Sequence, residues 1–274
     1  PQIEHTLWPV MQNIIKKFMA GTIYNIYMAD NGLLHAGDAV THLTWMDAKS
    51  GGRPVTPRGG FAVEINALWY NALCFAGELA AAFGQEALFP ADLPERIRLA
   101  FHNIFWIADG AYLGDVYAAG VLDPAVRPNQ IFALSLPFSP LAEPEAAGVL
   151  KNVRENLLTP CGLRTLAPGD QAYQGRYEGN PAQRDGAYHQ GTVWPWLLGA
   201  FGEATLRYAQ DKEGAKVFLR EYLLNFLEQH LGVAGLGSVS EIFDGDAPHA
   251  PRGCVAQAWS VGEIIRLYGL LKDA

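Results

Sequence analysis

The chain has 274 residues, half of them apolar, which is enough for one large domain or two small ones. Its formal net charge is −8, without blocks of like charge, and its apolar runs are too short to cross a bilayer, so nucleic acid and membranes are not expected partners. Cys74, Cys161 and Cys254 are widely spaced and form no Cys-x-x-Cys pair, which favours reduced thiols in a cytoplasmic protein.

The first part of the chain predicts a helix followed by a hairpin. Residues 3–20 repeat apolar side chains at helical spacing, and a glycine follows them. Residues 22–37 alternate β-branched and aromatic side chains around an Asp-Asn-Gly turn, which is typical of a short β-hairpin.

A long polar loop and a second helix come next. The loop from Gly37 to Gly60 carries Trp45 and Asp47, and loops of this length inside a compact chain are usually functional. Residues 62–83 predict a helix that is apolar on nearly all faces and therefore buried. Polar groups in its first turns, Glu64 among them, need partners in that setting.

The rest of the chain continues with helices and polar loops. An Asp-Leu-Pro-Glu capping box opens the first of these helices, and Thr192 is expected to cap the fourth. We predict helices over residues 92–107, 127–137, 142–158, 194–210, 214–231 and 254–271.

Paired helices with function-bearing loops at one end indicate an all-α fold of the α/α toroid type, with short β-hairpins in its loops. The pattern yields about eight helices, fewer than a closed toroid of helical hairpins requires. We therefore expect one domain over residues 1–274 that is incomplete at its N-terminal side and belongs to a longer enzyme.

The segment from Arg184 to Trp196 reads RDGAYHQGTVWPW and combines forked polar groups with aromatic rings. Ring faces cover the apolar patches of a sugar, and Arg, Asp, His and Gln side chains reach its hydroxyl groups. The segment therefore favours a sugar-binding site, and the alternative is a buried turn with a satisfied polar network.

Hydrolysis of a glycosidic bond usually requires two carboxyl groups on opposite sides of the sugar. Asp47 follows a tryptophan, a setting that suits a general acid, and Glu241 lies in a polar loop where a general base can stay ionised. Spacing alone does not select this pair. Other acids in loops or at helix starts remain candidates: Asp38, Glu64, Glu178, Asp185 and Asp244.

Six segments carry a resemblance to a known family: LTWMDAK, PVTPRGGFAVEINALWYNAL, GLRTLAPGD, GRYEGN, RDGAYHQGTVWPWLLGAF and SEIFDGDAPHAPRGCVAQAWSVGEIIR. In this order they resemble the C-terminal amylo-α-1,6-glucosidase domain of glycogen debranching enzymes. The resemblance implies an (α/α)6 toroid that hydrolyses the α-1,6-linked glucose left at a trimmed glycogen branch, with inversion and without a metal or cofactor. It also implies that Asp47 is the general acid and Glu241 the general base.

The resemblance further implies sugar contacts from the matched segments. These are Trp45, Arg58, Glu64, Asn66, Tyr70, Tyr188, His189, Gln190, Trp194, Gln257 and Trp259. A core position is an equal alternative for Trp259. For His189 we expect a hydrogen-bonding role rather than a metal-binding one, because no second His or Cys lies at ligand spacing.

Two other functions stay open. The chain could be another toroid glycosidase, glucoamylase-like or trehalase-like, with the same acids in the same roles. It could also be a non-catalytic oligosaccharide-binding fragment. An inverting enzyme requires the carboxyl groups of Asp47 and Glu241 to lie about 6.5–9.5 Å apart.

Overall fold

The computed structural model describes residues 3–273, which are mainly helical, as the apolar periodicity predicts. Within them a π-helical turn at Ile3–Leu7 precedes the first α-helix. The α-helices are α1 (Trp8–Ala20), α2 (Val63–Ala82), α3 (Leu93–Phe105), α4 (Phe132–Ser135), α5 (Glu143–Asn156), α6 (Pro181–Ala187), α7 (Leu197–Tyr208), α8 (Lys212–His230) and α9 (Ala258–Asp273). Each of these helices is too short or too polar to span a lipid bilayer.

Four helices form a row in chain order. Helix α2 packs on α4, α4 on α7, and α7 on α9. Helices α1 and α3 pack against α2, helix α5 against α4 and α7, and helix α8 against α7 and α9. Helices of the row therefore alternate along the chain with helices that lie beside it, and a continuous apolar core from Trp8 to Leu271 joins them.

The contact between α7 and α9 depends on two glycines. A Cβ atom at Gly202 would lie 2.3 Å from Leu267 Cδ1, and one at Gly199 would lie 1.8 Å from Glu263 Oε2. A side chain at either position would therefore displace Leu267 or Glu263 from its present place against α7.

Short antiparallel strands lie in the loops between the helices. They are β1 (Tyr27–Met28), β2 (Leu34–His35), β3 (Lys49–Ser50), β4 (Arg53–Pro54), β5 (Phe61–Ala62), β6 (Trp106–Ile107), β7 (Tyr112–Leu113), β8 (Val116–Ala118), β9 (Val121–Asp123), β10 (Leu158–Thr159), β11 (Gly162–Arg164), β12 (Val193–Trp194), β13 (Ile242–Phe243) and β14 (Pro251–Arg252).

The strands form small sheets. Strands β10 to β14 make a sheet in chain order, β5, β8 and β9 make a second, and three two-stranded pairs join β1 with β2, β3 with β4 and β6 with β7. The first pair is the predicted hairpin, whose turn contains Gly32 at φ +87°. The larger sheet was not predicted, because strands of two or three residues show no measurable alternation.

Three local predictions are wrong. Residues 127–137 form only a 3₁₀ turn at Pro128–Ile131 and the single-turn helix α4, because the chain becomes extended at Leu136. Asp92 does not cap α3; its carboxylate lies 3.2 Å from the Arg96 guanidinium instead. Thr192 does not cap α7, since its hydroxyl donates to the Tyr188 carbonyl and the strand β12 follows it.

Candidate active site

Polar and aromatic segments meet where the four helices of the row begin. Arg58 lies shortly before α2, and Asn129 lies in the 3₁₀ turn before α4. Trp194 and Trp196 directly precede α7, and Gln257 directly precedes α9. Parts of the chain that are up to two hundred residues apart in sequence thus reach the same end of the helical layer.

Glu241 lies at this end, half-buried, immediately before strand β13. Its Oε1 atom accepts hydrogen bonds from the Tyr188 hydroxyl at 2.5 Å and from Gln257 Nε2 at 3.3 Å. Its Oε2 atom accepts one from the Cys254 backbone N–H at 2.9 Å. Three donors from three segments therefore fix the orientation of this carboxylate.

Strand pairing and a buried ion pair hold the loop that carries Glu241. Strand β13 pairs with β12 and β14. Just after β13, the fully buried Asp244 accepts hydrogen bonds from the Arg252 guanidinium at 2.9 Å and from the Tyr177 N–H at 2.9 Å. Asp244, one of the alternative acids, therefore supports the loop and has no free face for a substrate.

Tyr188 relates the two predicted catalytic acids. Burial, the hydrogen bond to Glu241 and nearby negative charges, including that of Asp47, raise the pKa of Tyr188 above its usual range. The hydroxyl therefore remains protonated near neutral pH and remains a donor to Glu241. The charges of both predicted catalytic acids thus raise the pKa of this hydroxyl.

Aromatic rings form a wall beside Glu241. Trp194 contacts the Tyr188 ring edge-on at 5.1 Å between centroids, and Trp196 stacks on Trp259 at 5.0 Å. Trp45 meets both Trp194 and Trp196 edge-on, at 5.4 and 5.1 Å. Trp194 is buried and Trp259 is 40% exposed. The structure thus brings together the predicted tryptophans, and Trp259 is the ring with most surface left for a ligand.

The segment around Asp47 is anchored on both sides. Trp45 donates from Nε1 to Asn129 Oδ1 at 2.7 Å, and Met46 is buried. Downstream, the β3–β4 hairpin packs against α6, which ends beside Tyr188. Asp47 itself is exposed between these anchors. An exposed carboxyl on a fixed backbone is suited to meet a substrate.

A buried ion network lies beneath the site. The Arg58 guanidinium forms paired hydrogen bonds with Glu64, and it also donates to both oxygens of Asp115, at 2.8 and 2.9 Å. Asp115 further accepts from Asn129 Nδ2 at 2.7 Å, and Arg127 lies 3.7 Å away. Two guanidinium groups thus balance two carboxylates, and Asn129 connects the network to the indole of Trp45.

The pairing within the network determines the direction in which the pKa values of Asp115 and Arg127 move. Burial alone would raise the pKa of Asp115, but the neighbouring Arg58 and Arg127 charges outweigh it and lower that pKa below its usual value. Burial lowers the pKa of Arg127, and Asp115 opposes this effect. The carboxylate of Asp115 therefore stays charged, as the guanidinium groups require.

Three predicted sugar contacts are corrected by their burial. Arg58 and Glu64 are buried and paired with each other. Asn66 is 0% exposed and bonds both backbone groups of Leu34. These three side chains support the site from within the protein. Tyr70 is half-buried further along α2, where its hydroxyl interacts with Cys74 and burial raises its pKa to about 12, and its sugar contact stays a prediction.

His189 is also fully buried, stacked on Trp194 at 15° between ring planes and edge-on to Trp45. Neither ring nitrogen has a hydrogen-bond partner within residues 3–273, and a hydrogen bond from His189 to a sugar stays a prediction. Burial, together with the charges of Arg127 and Arg58, lowers its pKa to about 3. His189 is therefore a neutral ring in the aromatic wall.

This burial predicts a pH dependence of stability. The unfolded chain binds a proton at His189 near its ordinary pKa of 6.5, and the folded protein does so only near 3. The free energy of unfolding should therefore fall as the pH drops below 6.5, by up to about 1.4 kcal/mol per pH unit from this residue. Urea unfolding of the parent and of His189→Phe at pH 5 and pH 7 measures this change in the free energy of unfolding. Equal pH dependence in both proteins would contradict the assignment.

Gln190 and Gln257 remain candidates for contact. Both are half-buried. Gln190 accepts from Arg127 Nη2 at 2.7 Å, and Gln257 donates to Glu241. The sequence interpretation did not include Asp115 or Asn129 among the site residues. In the sequence, Asn129 is marked only by its place in the polar segment 127–130, which precedes an apolar run.

The described cysteines, Cys74, Cys161 and Cys254, carry free thiols. Within residues 3–273, no group of three or more His, Cys, Asp or Glu side chains is arranged to hold a metal ion.

Comparison with known sequences gives a family and several relatives, of which a yeast enzyme is one. The family model described as "Amylo-alpha-1,6-glucosidase" matches residues 2–266. The glycogen debranching enzyme of Saccharomyces cerevisiae is 29% identical over an alignment 304 residues long, which covers 89% of this chain and 19% of that protein. The chain thus spans about a fifth of the length of this relative.

Comparison with solved structures shows a shared fold. The GH63 mannosylglycerate hydrolase from Thermus thermophilus matches with a TM-score of 0.55 and 15% identity, over 77% of this chain and 45% of that one. The neutral trehalase Nth1 from Saccharomyces cerevisiae matches with a TM-score of 0.56 and 12% identity, over 77% of this chain and 37% of that one.

Proposed function

Because this chain belongs to the amylo-alpha-1,6-glucosidase family of glycoside hydrolases, we propose that it hydrolyses the α-1,6-linked glucose at branch points of glycogen or a related branched α-glucan. The orientation of Glu241 by three hydrogen bonds beside an aromatic wall is the observation that carries the proposal. The similarity to yeast glycogen debranching enzyme supports the choice of substrate. The proposal includes an α/α toroid, which the alternating helices of the row support, and action in the cytoplasm.

In the proposed mechanism, Asp47 donates a proton to the oxygen of the α-1,6 bond as that bond breaks. Glu241 removes a proton from a water molecule, which attacks the anomeric carbon from the opposite face and inverts it. An inverting reaction places this water between carboxyl groups about 6.5–9.5 Å apart. Tyr188 and the Cys254 N–H orient Glu241, and Trp259 offers a ring face to the sugar.

Glucose release from a glycogen phosphorylase limit dextrin tests the proposal. We expect free glucose that appears first as the β-anomer in a proton NMR time course, because inversion of an α-linkage yields the β-product. Maltoheptaose and trehalose serve as control substrates without an α-1,6 branch and should release none. A parent chain that binds oligosaccharide but releases no glucose would support a non-catalytic binding function instead, and release from trehalose would support a trehalase-like one.

Tyr188→Phe tests the positioning of Glu241. Removing the hydroxyl deletes a hydrogen bond to a carboxylate, so we expect kcat to fall roughly tenfold. Initial rates of glucose release from limit dextrin measure the change.

The matched control is Tyr177→Phe. Tyr177 packs beside Tyr188 at 5.6 Å between ring centroids, but its hydroxyl makes no hydrogen bond to Glu241. Its removal should leave kcat unchanged. Equal kcat values for the parent and Tyr188→Phe would show that the hydroxyl does not position the base.

A further inference from the structure

A cavity lies at the base of the loop that carries Asp47. It has a volume of about 530 Å³, within the range of about 300–1,000 Å³ that is usual for small-molecule sites. The loop leaves the cavity after Asp38 and returns to it at Pro57. Asp47, Glu241 and the tryptophans of the aromatic wall do not line it, whereas Asp38, one of the alternative acids, does.

Two pairs of aromatic side chains form its walls. Tyr27 and His35 are direct partners in the β1–β2 hairpin, with ring centroids 4.9 Å apart. Phe61 and Tyr117 are direct partners in the β5–β8 pair, 6.3 Å apart. His35 meets Phe61 edge-on at 5.2 Å, which joins the pairs into one surface. Tyr27 is 40% exposed, so its ring remains available to a ligand.

The polarity of the cavity fits an uncharged, hydroxyl-rich ligand. Asp38 is its one charged lining residue among those described, and its carboxylate already accepts the N–H groups of Val40 and Thr41. The hydroxyls of Tyr27 and Tyr117 make no hydrogen bond within residues 3–273 and can donate or accept. Ring faces beside such hydroxyls are suited to the apolar patches and hydroxyl groups of sugars.

The backbone gives the cavity a fixed shape. Ala36 and Gly60 form a β-bridge between the two aromatic pairs, with both hydrogen bonds at 2.8 Å. Gly60 has φ +122°, and a Cβ atom there would lie 2.6 Å from the Tyr117 carbonyl oxygen, so only glycine permits this approach. The walls are therefore held before a ligand arrives, which lowers the entropic cost of binding.

We propose that this cavity binds a segment of linear, α-1,4-linked glucan, and that it holds the chain of the substrate outside the active site. The identity of the glucan rests on the proposed function. The binding surface rests on the aromatic pairs, on a described lining with Asp38 as its one acid, and on the position at the base of the Asp47 loop.

Isothermal titration of the full chain with maltoheptaose tests the proposal. Tyr27→Ala and Tyr117→Ala each remove one ring face, and we expect each to weaken binding about tenfold. Tyr24→Ala is the matched control, since Tyr24 lies in the same hairpin, is 60% exposed and does not line the cavity. It should bind as the parent does. Circular dichroism and thermal unfolding check that all the variants are folded.

Kinetics separate this site from the active site. On limit dextrin, Tyr27→Ala should raise KM with kcat unchanged, and Tyr27→Phe, which keeps the ring, should stay closer to the parent. Parent-like maltoheptaose affinity in both alanine variants would overturn the proposal. A parent that binds maltoheptaose through these tyrosines but releases no glucose from limit dextrin would overturn the proposed function and leave the glucan site standing.

Discussion

Asp47→Asn and Glu241→Gln are each expected to lower kcat on limit dextrin by about 10²–10⁴-fold, the usual contribution of a general acid or base. Both substitutions keep the size of the side chain and remove its ability to transfer a proton. Asp47 is exposed on an anchored loop, and in Glu241→Gln the amide oxygen can still accept from Tyr188 and Gln257, so neither change should unfold the protein. Initial rates of glucose release measure the effect.

The two acids can also be told apart. Glucosyl fluoride needs no protonation of its leaving group, so Asp47→Asn should retain much more activity on α-glucosyl fluoride than on limit dextrin. Glu241→Gln should lose activity on both substrates, because water still needs a base. The control is Asp246→Asn, which changes an exposed acid in the same loop as Glu241. Full activity in either catalytic variant would reject the assigned role of that residue.

Asp115→Asn is expected to lower the free energy of unfolding by about 3–5 kcal/mol, because it leaves the buried Arg58 and Arg127 charges with one carboxylate instead of two. For a chain of this size the melting temperature should fall by roughly 6–20 °C. Urea and thermal unfolding measure both quantities. Activity should fall as well, since Asp115 holds Asn129, which holds Trp45 two residues before Asp47.

Controls for the network use a surface pair and a second substitution. Glu95→Gln removes an exposed partner of Arg98 and should leave the unfolding curve unchanged. Adding Arg127→Met to Asp115→Asn removes the surplus positive charge, so the double variant should be more stable than the sum of the single changes predicts. Strict additivity would show that Arg127 and Asp115 do not interact.

The network also has a pH signature. The folded pKa of Asp115 is lowered relative to its ordinary value of 3.8, so below that value the unfolded chain binds the proton first. Its stabilising contribution is therefore complete above pH 3.8 and is lost as the pH falls through the folded pKa. The parent should lose stability in this acidic range, and Asp115→Asn should lose less.

The site was only partly predictable from the sequence. The family resemblance pointed to Asp47, Glu241 and the aromatic segment, and the structure brings Tyr188, Trp194 and Gln257 around Glu241. Polarity at the start of a buried helix indicated only that Glu64 needs a partner, and the resemblance implied a sugar contact there. Neither signal distinguishes a ligand from a buried side chain, and here the partner is Arg58.

The sequence by itself determined the longer helices, because apolar spacing and helix-ending glycines act within a few residues. It also determined, through its motifs, which family the chain belongs to. Only the tertiary structure decided which polar groups face a ligand and which face each other. The bonds that decide this join Arg58 to Asp115, Trp45 to Asn129 and Tyr188 to Glu241, pairs that are 57, 84 and 53 residues apart. Local periodicity does not show which residues so far apart in sequence will contact each other. The packing of the helical row brings these segments together.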